Sequence, residues 1–400
     1  MPDRSTISRR RLLGMLAAGS AVAACGDAAV PGLNAPPAAV HVRIGVVWPQ
    51  AGPNAPFGTD LKRGWDLWLQ QNGGKLGQYV ADVVTADEGT SPQSATAAVQ
   101  RLLQNDKVDI VVGLIDSAAT LAVIPLMNAA KKVLLVAGAS AIDITRGAGS
   151  VYVWRTSYSD PQMAAPMGAQ LAQAAVRDAV FVVAPADDEG TATIAAFQTA
   201  FQSGGGVVVG TGRPVAGNTD YGRIFTQIQR ARAKATFCAL SPADGAEFVA
   251  QYAQAGLSGP VPLYGSGPIT EAALDKDGQA ALGVQTTLHY SDQVAIAANT
   301  KFVAAYRTAY NAGPTCFSVQ GYDAGNVLDA ALAQDGMQFN GDSVTDQLGQ
   351  GARYDSPRGK WKFDEQGPLQ DVYLRKVQNV GGALVNAVLF DLGPAGQPAA

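Results

Sequence analysis

The chain has 400 residues, 47% of them apolar and 16% charged, with a formal net charge of −4 and three cysteines. That balance lacks the basic surplus of nucleic-acid binders, and no stretch past the N-terminus is apolar enough over about 20 residues to span a bilayer. The length suits two domains better than one core.

The first element is a leader. Ser8-Arg9-Arg10-Arg11 precedes the apolar run Leu12–Ala24, rich in Ala, Gly and Leu. The run is too short to span a membrane and predicts a cleaved signal peptide over residues 1–24. Ser8 to Leu13 is similar to a twin-arginine export signal, an address read by a receptor; an ordinary secretory signal is the other reading. Val22-Ala23-Ala24-Cys25-Gly26 resembles a bacterial lipobox, which implies a diacylglycerol on the Cys25 thiol and cleavage just before it. The Pro/Gly/Ala-rich residues 25–40 then form a lipidated tether with too little to bury for a fold of its own. Cleavage leaves 376 residues.

From residue 42 short apolar runs alternate with amphipathic stretches. Strands are predicted at Val42–Val47, Val80–Ala86, Ile110–Val112 and Val133–Val136. Between them lie a helix capped by Thr59 with Leu61, Trp65, Trp68 and Leu69 on one face, a helix opened by Ser91-Pro92, and a helix opening near Ser117. After Asp160 the rhythm restarts, with strands at Val180–Val183, Val207–Val209, Thr236–Leu240 and Val261–Tyr264 and helices between them. From about Tyr290 come two more helices, Thr300–Ala312 and Phe317–Ala333, then the strand-turn-strand passage Trp361–Gly367 and two final β-like runs. Continuous Val/Ile/Leu strands alternating with helices indicate an α/β protein with two doubly wound parallel-sheet lobes. The return of the rhythm implies a three-segment hinge near Thr156–Asp160, Thr286–Tyr290 and Asp364–Pro368. Lobe 1 is expected to hold residues 41–157 and 290–365, lobe 2 residues 158–289 and 366–392, with 393–400 as a tail.

Ligands of such sheets bind beyond the carboxyl ends of the strands. The loops there are Trp48–Gly58, Gly113–Ser117, Ala137–Ala141, Ala184–Gly190, Ser241–Asp244 and Gly265–Pro268. Cys238 and Cys316 fit no zinc spacing; an oxidising compartment would let them pair, while the apolar strand around Cys238 suits a buried thiol. His41 and His289 are the only histidines, no metal cluster, nucleophile elbow or P-loop is present, and Gly204-Gly205-Gly206 leads into a strand rather than a phosphate cradle. The expectation is a protein without metal, cofactor or catalytic residues.

Ile44-Gly45-Val46-Val47, Ala51-Gly52-Pro53 and Pro56-Phe57-Gly58 resemble the opening of type I periplasmic binding proteins, above all the leucine/isoleucine/valine-binding family of ABC importers. Asp87-Glu88 with Ser91-Pro92, Trp154-Arg155-Thr156 to Asp160, Gln254-Ala255-Gly256, Gln320 to Ala324 and Phe363 to Gly367 continue the likeness in order over the mature chain. The resemblance implies an exported binding protein, anchored by lipid at the outer face of the cytoplasmic membrane or in the periplasm. It would be monomeric and would deliver a small solute (amino acid, oxo acid or aromatic acid) to permease and ATPase subunits. A non-transport sensor, or an activator of envelope enzymes on the same fold, is the alternative.

The resemblance also places a site. Ser117, with backbone N–H groups at its helix start, would hold a ligand carboxylate; a helix N-terminus suits an anion, although Ser117 also suits a plain helix cap. The second carboxylate loop falls on Ala139, Ser140 and Ala141, with Ser140 standing in for a hydroxyl that Ala141 lacks. Phe57 and Trp48 would wall the pocket, or Trp48 simply packs at its strand end. Of the family's three ammonium partners only Asp160 is kept, since the other two fall on Gly267 and Ser241. Either Glu189 or its neighbours Asp187 and Asp188 take over, or the ligand has no ammonium. Those acids also suit a solvated helix N-terminus.

Overall fold

The computed structural model describes residues 39–398 except 148, 216 and 335–338. The leader, Cys25 and all but the end of the tether lie outside the described residues. In chain order the elements of the first half are β1 (His41–Trp48), α1 (Ala55–Gln71), β2 (Lys75–Leu76), β3 (Tyr79–Asp87), α2 (Pro92–Gln104), β4 (Ile110–Gly113), α3 (Ser117–Ala130), β5 (Val133–Val136), α4 (Asp143–Arg146) and β6 (Val153–Arg155). The second half runs α5 (Asp160–Ala172), β7 (Val180–Val183), α6 (Asp188–Ser203), β8 (Val208–Gly212), α7 (Gly222–Arg230), β9 (Ala235–Cys238), α8 (Pro242–Gln254), β10 (Leu263–Ser266), α9 (Glu271–Ala281) and β11 (Gln285–Leu288). The rest is α10 (Ala297–Tyr310), α11 (Cys316–Leu332), α12 (Gly341–Leu348), β12 (Arg353–Ser356), β13 (Gly359–Asp364), β14 (Gly367–Val380) and β15 (Ala383–Ala395).

Two sheets result, one per lobe. The first has the order β2-β3-β1-β4-β5-β6, parallel except for β2. In the second, β8-β7-β9-β10-β11 are parallel, and β14 closes antiparallel on β11. Each sheet places its first parallel strand between the next two parallel strands, β1 between β3 and β4 and β7 between β8 and β9. The topological switch points therefore lie between β1 and β4 and between β7 and β9, where loops diverge and leave a crevice. β4, β5, β7 and β9 are buried along their whole length, as strands covered on both faces should be.

The chain beyond Tyr290 returns to the first sheet. Phe302, Tyr306, Val327, Leu328, Val344, Trp361 and Phe363 share one apolar cluster with Val42, Ile44 and Leu135. α11 crosses α1 so closely that a Cβ on Gly321 would fall on the Leu61 carbonyl oxygen, and one on Gly64 on that of Ser318. β14 extends the second sheet to β13 and β12: residues 367–369 pair with β13, 373–376 with β11, and β15 lies along the other side. Where the chain crosses between lobes, Arg358 is wholly buried. It pairs with Asp323 at 2.8 Å and donates to the Thr156 carbonyl and to Gln370 Oε1.

Several expectations need correction. α1 begins at Ala55 with Pro56 in its first turn, and Thr59 sits inside it, donating back to the Ala55 carbonyl at 2.9 Å instead of capping. β2, β6, β11, α4, α9 and α12 carried too little apolar periodicity to be read as elements. β15 runs to Ala395, paired there with Gln370, so the first residues of the expected tail are strand. Cys238 and Cys316 are buried free thiols, one in β9 and the other at the start of α11. Among the described residues no helix is long and apolar enough to cross a membrane, and no cluster of His, Cys, Asp and Glu is placed to hold a metal ion.

Candidate ligand-binding site

A cavity of about 240 Å³ lies at the paired switch points, between the two lobes. Five of the expected residues line it: Ser117, Ser140, Asp160, Glu189 and Ser241. Each is delivered by an element start or a strand end. β4 ends at Gly113, and Gly113 and Leu114 both take positive φ, 123° and 64°. This turns the chain sharply into Ile115–Ser117. The helix cap of α3 is Asp116, whose side chain accepts from the Ala119 amide at 2.8 Å. Ser117 is thereby relieved of the capping role and its hydroxyl is turned to other partners. The hydroxyl accepts from the amides of Ser140 and Ala141 at 3.3 and 3.1 Å, stitching the loop after β4 to the loop after β5.

From the other lobe, α6 is capped by Asp187, which accepts from the Gly190 amide at 2.8 Å. That fixes the first turn so that Glu189 points into the cleft, whereas Asp188 stays exposed. Glu189 Oε1 accepts from the Ser117 hydroxyl at 3.3 Å and from the Ser140 hydroxyl at 3.1 Å. Ser140 also lies 3.0 Å from Asp160 Oδ2, in donor range. Burial, and then the neighbouring Asp160, hold the Glu189 carboxyl well above the usual range. The cluster thus joins two hydroxyls of lobe 1 to a pair of carboxyls, and a pair so close is stable only when it shares a proton or meets a cation. Ser241 caps α8 through the Asp244 amide at 3.2 Å while facing the same cavity.

The remaining expected residues fall elsewhere. Ala141 contributes the amide that binds Ser117. Ala139 is fully buried, its carbonyl taken by the Ser157 hydroxyl at 2.7 Å. Gly267 has a φ of +70°, and a Cβ there would stand 3.9 Å from Asp160 Oδ1, beside the cluster but not in the cavity wall. Phe57 and Trp48 do not line the cavity: Phe57 packs in the core against Phe317, ring centres 5.1 Å apart, and Trp48 lies under Lys62 Nζ. The apolar wall is built instead by Ile115, Tyr158, Pro185, Leu240, Pro242 and Pro268.

Two buried charged residues that line no part of the cavity support the site. Arg155, at the end of β6, is fully buried and donates to the carbonyls of Tyr158 and Ala141 at 2.8 and 2.6 Å. Burial lowers its pKa to about 10, and the fields of Asp160 and Glu189 work the other way. Glu88, also buried, accepts from the Ile115 and Asp116 amides. A larger neighbouring cavity, about 500 Å³ around Asp60, Tyr290 and Arg375, is lined by charges already committed to one another. Arg375 pairs with Glu271 at 2.7 Å, and Asp60, raised to about 6 by burial, accepts from Thr315 and Tyr306.

A two-lobed α/β architecture with a small polar cavity at its facing switch points is that of a solute receptor. The family model for periplasmic binding proteins matches residues 41–382, and the chain belongs to that family. It is 30% identical over 347 residues to a Leu/Ile/Val-binding protein homolog 6 of Brucella suis, covering 84% of this chain and 87% of that one. Among solved structures, it resembles a solute-binding protein of an ABC transporter from Rhodopseudomonas palustris BisB5 in complex with 3,4-dihydroxybenzoic acid. The TM-score is 0.84 and the identity 28%, with 90% of this chain and 99% of that chain covered. A second R. palustris solute-binding protein, in complex with benzoate, gives a TM-score of 0.81 and 29% identity, covering 90% of this chain and 98% of its own. The chain is a solute-binding protein of the ABC-transporter type and not an enzyme.

Proposed function

We propose that this chain is the lipid-anchored, extracytoplasmic receptor of an ABC importer, and that it takes up a small carboxylate-bearing solute in the interlobe cavity. The observation that carries the reading is the meeting of the Ser117 and Ser140 hydroxyls with Asp160 and Glu189 across the cleft. Relatives support the carboxylate: the names and bound ligands of those at 27–30% identity include Leu/Ile/Val binding, benzoate, 4-hydroxybenzoate and 3,4-dihydroxybenzoic acid, all of them carboxylates. Their ABC-transporter descriptions also weigh against a sensor on the same fold. In this reading a ligand carboxylate takes the hydroxyls now facing Glu189, and the first amides of α3 at Ser117 and Ala118 add partial positive charge.

Glu189 decides between the ligand classes. An ammonium buried without carboxylates would cost several kcal/mol, and the inward turn of Glu189 beside Asp160 supplies the acid that Gly267 and Ser241 do not. The geometry therefore favours an amino acid over an oxo or aromatic acid. The lobe division expected above, Cys25 lipidation, monomeric state, and permease and ATPase partners complete the proposal. Calorimetry tests it with L-leucine, 4-methyl-2-oxopentanoate and benzoate against wild type and Ser117→Ala. The variant should bind its best ligand about 1.5–3 kcal/mol more weakly, the worth of hydrogen bonds to a charged group. Unchanged affinity, or a best ligand without a carboxylate, overturns the carboxylate assignment.

A further inference from the structure

The loop that presents Ser117 is held from behind by a single buried acid. Glu88 lies just past the end of β3 and is 1% exposed. Its Oε2 accepts from the Ile115 amide at 3.0 Å and its Oε1 from the Asp116 amide at 2.8 Å. These amides follow the left-handed turn at Gly113 and Leu114, with φ of 123° and 64°. A leucine adopts that conformation only when its surroundings hold it there. No cation among the described residues pairs with Glu88, so the two amides are its main compensation for burial.

We propose that Glu88 is a positioning residue for the ligand site: its carboxylate clamps the Ile115 and Asp116 amides, fixes the turn at Leu114, and so aims the Ser117 hydroxyl at the interlobe cavity. The clamp works best ionised, because both oxygens then accept without one having to place a proton. Burial raises the Glu88 pKa to about 7, with Asp116 on the loop and Asp87 on its own strand acting in the same direction and the two amides against it. Protonation of Glu88 therefore loosens the loop in a range where ordinary carboxylates stay charged. Asp116 and Asp87 are the charged groups acting on Glu88. Ser94 of the packed helix α2 donates to its carbonyl and adds no charge. The inference rests on the proposed function only for Ser117 being a ligand contact; the clamp itself is a property of the ligand-free chain.

The test is a pH titration of the ligand-free protein followed by amide NMR. In wild type, the Ile115, Asp116 and Ser117 amide signals should move together between about pH 6 and 8, near the raised pKa. In Glu88→Gln, which keeps Asp87 and Asp116, they should be flat over that range and displaced from their wild-type positions at pH 8. A role confined to the two hydrogen bonds would move only the Ile115 and Asp116 amides, whereas re-aiming of Ser117 also moves the Ser140 and Ala141 amides that donate to its hydroxyl, and their insensitivity to pH overturns the positioning role. Amides that do not titrate in wild type, or that titrate equally in Glu88→Gln, overturn the proposal. If the variant does not fold, the wild-type titration alone decides. Because no ligand is present, failure here is separate from failure of the carboxylate reading, which the Ser117→Ala calorimetry reports.

Discussion

Replacing Glu189 by Gln keeps the side chain's shape and removes its ability to ionise, which makes two opposite demands on the protein. In the ligand-free cleft the acid carries a cost. Its folded pKa is raised, by burial first and by Asp160 next, so the folded state holds its proton more tightly than the unfolded chain does. Stability from this group is complete below the unfolded pKa of about 4.3 and declines as pH rises toward the folded value. The amide mimics the protonated acid and carries no such slope. Glu189→Gln should therefore melt near wild type at pH 5 and above it at pH 8. With an amino acid bound the sign reverses. The ammonium loses a charge-assisted partner worth about 1.5–3 kcal/mol, a weakening of roughly 10- to 150-fold. Benzoate, with no ammonium, should lose little or none of that. Differential scanning calorimetry at the two pH values and titration calorimetry with L-leucine and benzoate measure both halves. A melting difference independent of pH would show that Glu189 is not held in the cleft as described. Equal losses for leucine and benzoate would show that it does not face an ammonium.

Gly321→Ala should destabilise the protein by about 3 kcal/mol, read from its urea midpoint, because the new methyl meets the rigid Leu61 carbonyl and not a flexible side chain. Asp323→Ala should cost about 3–5 kcal/mol by leaving the Arg358 guanidinium buried without its anion; a loss under about 1 kcal/mol in chemical denaturation would mean water reaches the crossing. Cys25→Ala should abolish fatty-acid labelling and leave unprocessed or unanchored protein; a labelled variant would place the lipid elsewhere.

The fold was legible because the two periods of the sequence are unambiguous where burial is complete. Ile44–Val47, Val133–Val136 and Val180–Val183 are covered on both faces, so their composition alone declares strand. Gln285–Leu288 escaped because Thr286 and Thr287 are buried polar residues whose burial depends on partners far away, Arg375 and the Met163 carbonyl. The site shows the same division. Ser117, Ser140 and Asp160 sit on loops whose register with the strands can be counted, and Glu189 is one of an acidic trio, Asp187 to Glu189, any of which the spacing allows as a substitute acid. Which of the trio turns inward depends on the Asp187 cap, a local geometry that spacing does not display. Phe57 and Trp48 stand outside the cavity lining because an aromatic near a strand end packs equally well inward, and α11 supplies Phe317 to receive one of them.

β14 is held by different strands along its length, and that limits how it can move. Its residues up to Leu369 are pinned to β13, and those from Tyr373 to β11. Between the two grips its ladder with β15 slips register at Asp371–Tyr373, and it slips again at Leu374–Arg375 within the stretch paired with β11. Such irregularities bend a strand and free a residue from the ladder. The hairpin is thus a leaf spring clamped at both ends with its compliance built into the middle. Opening the cleft would flex it about that point instead of sliding one lobe over the other, and the restoring force would come from backbone geometry, present whether or not a solute has been caught.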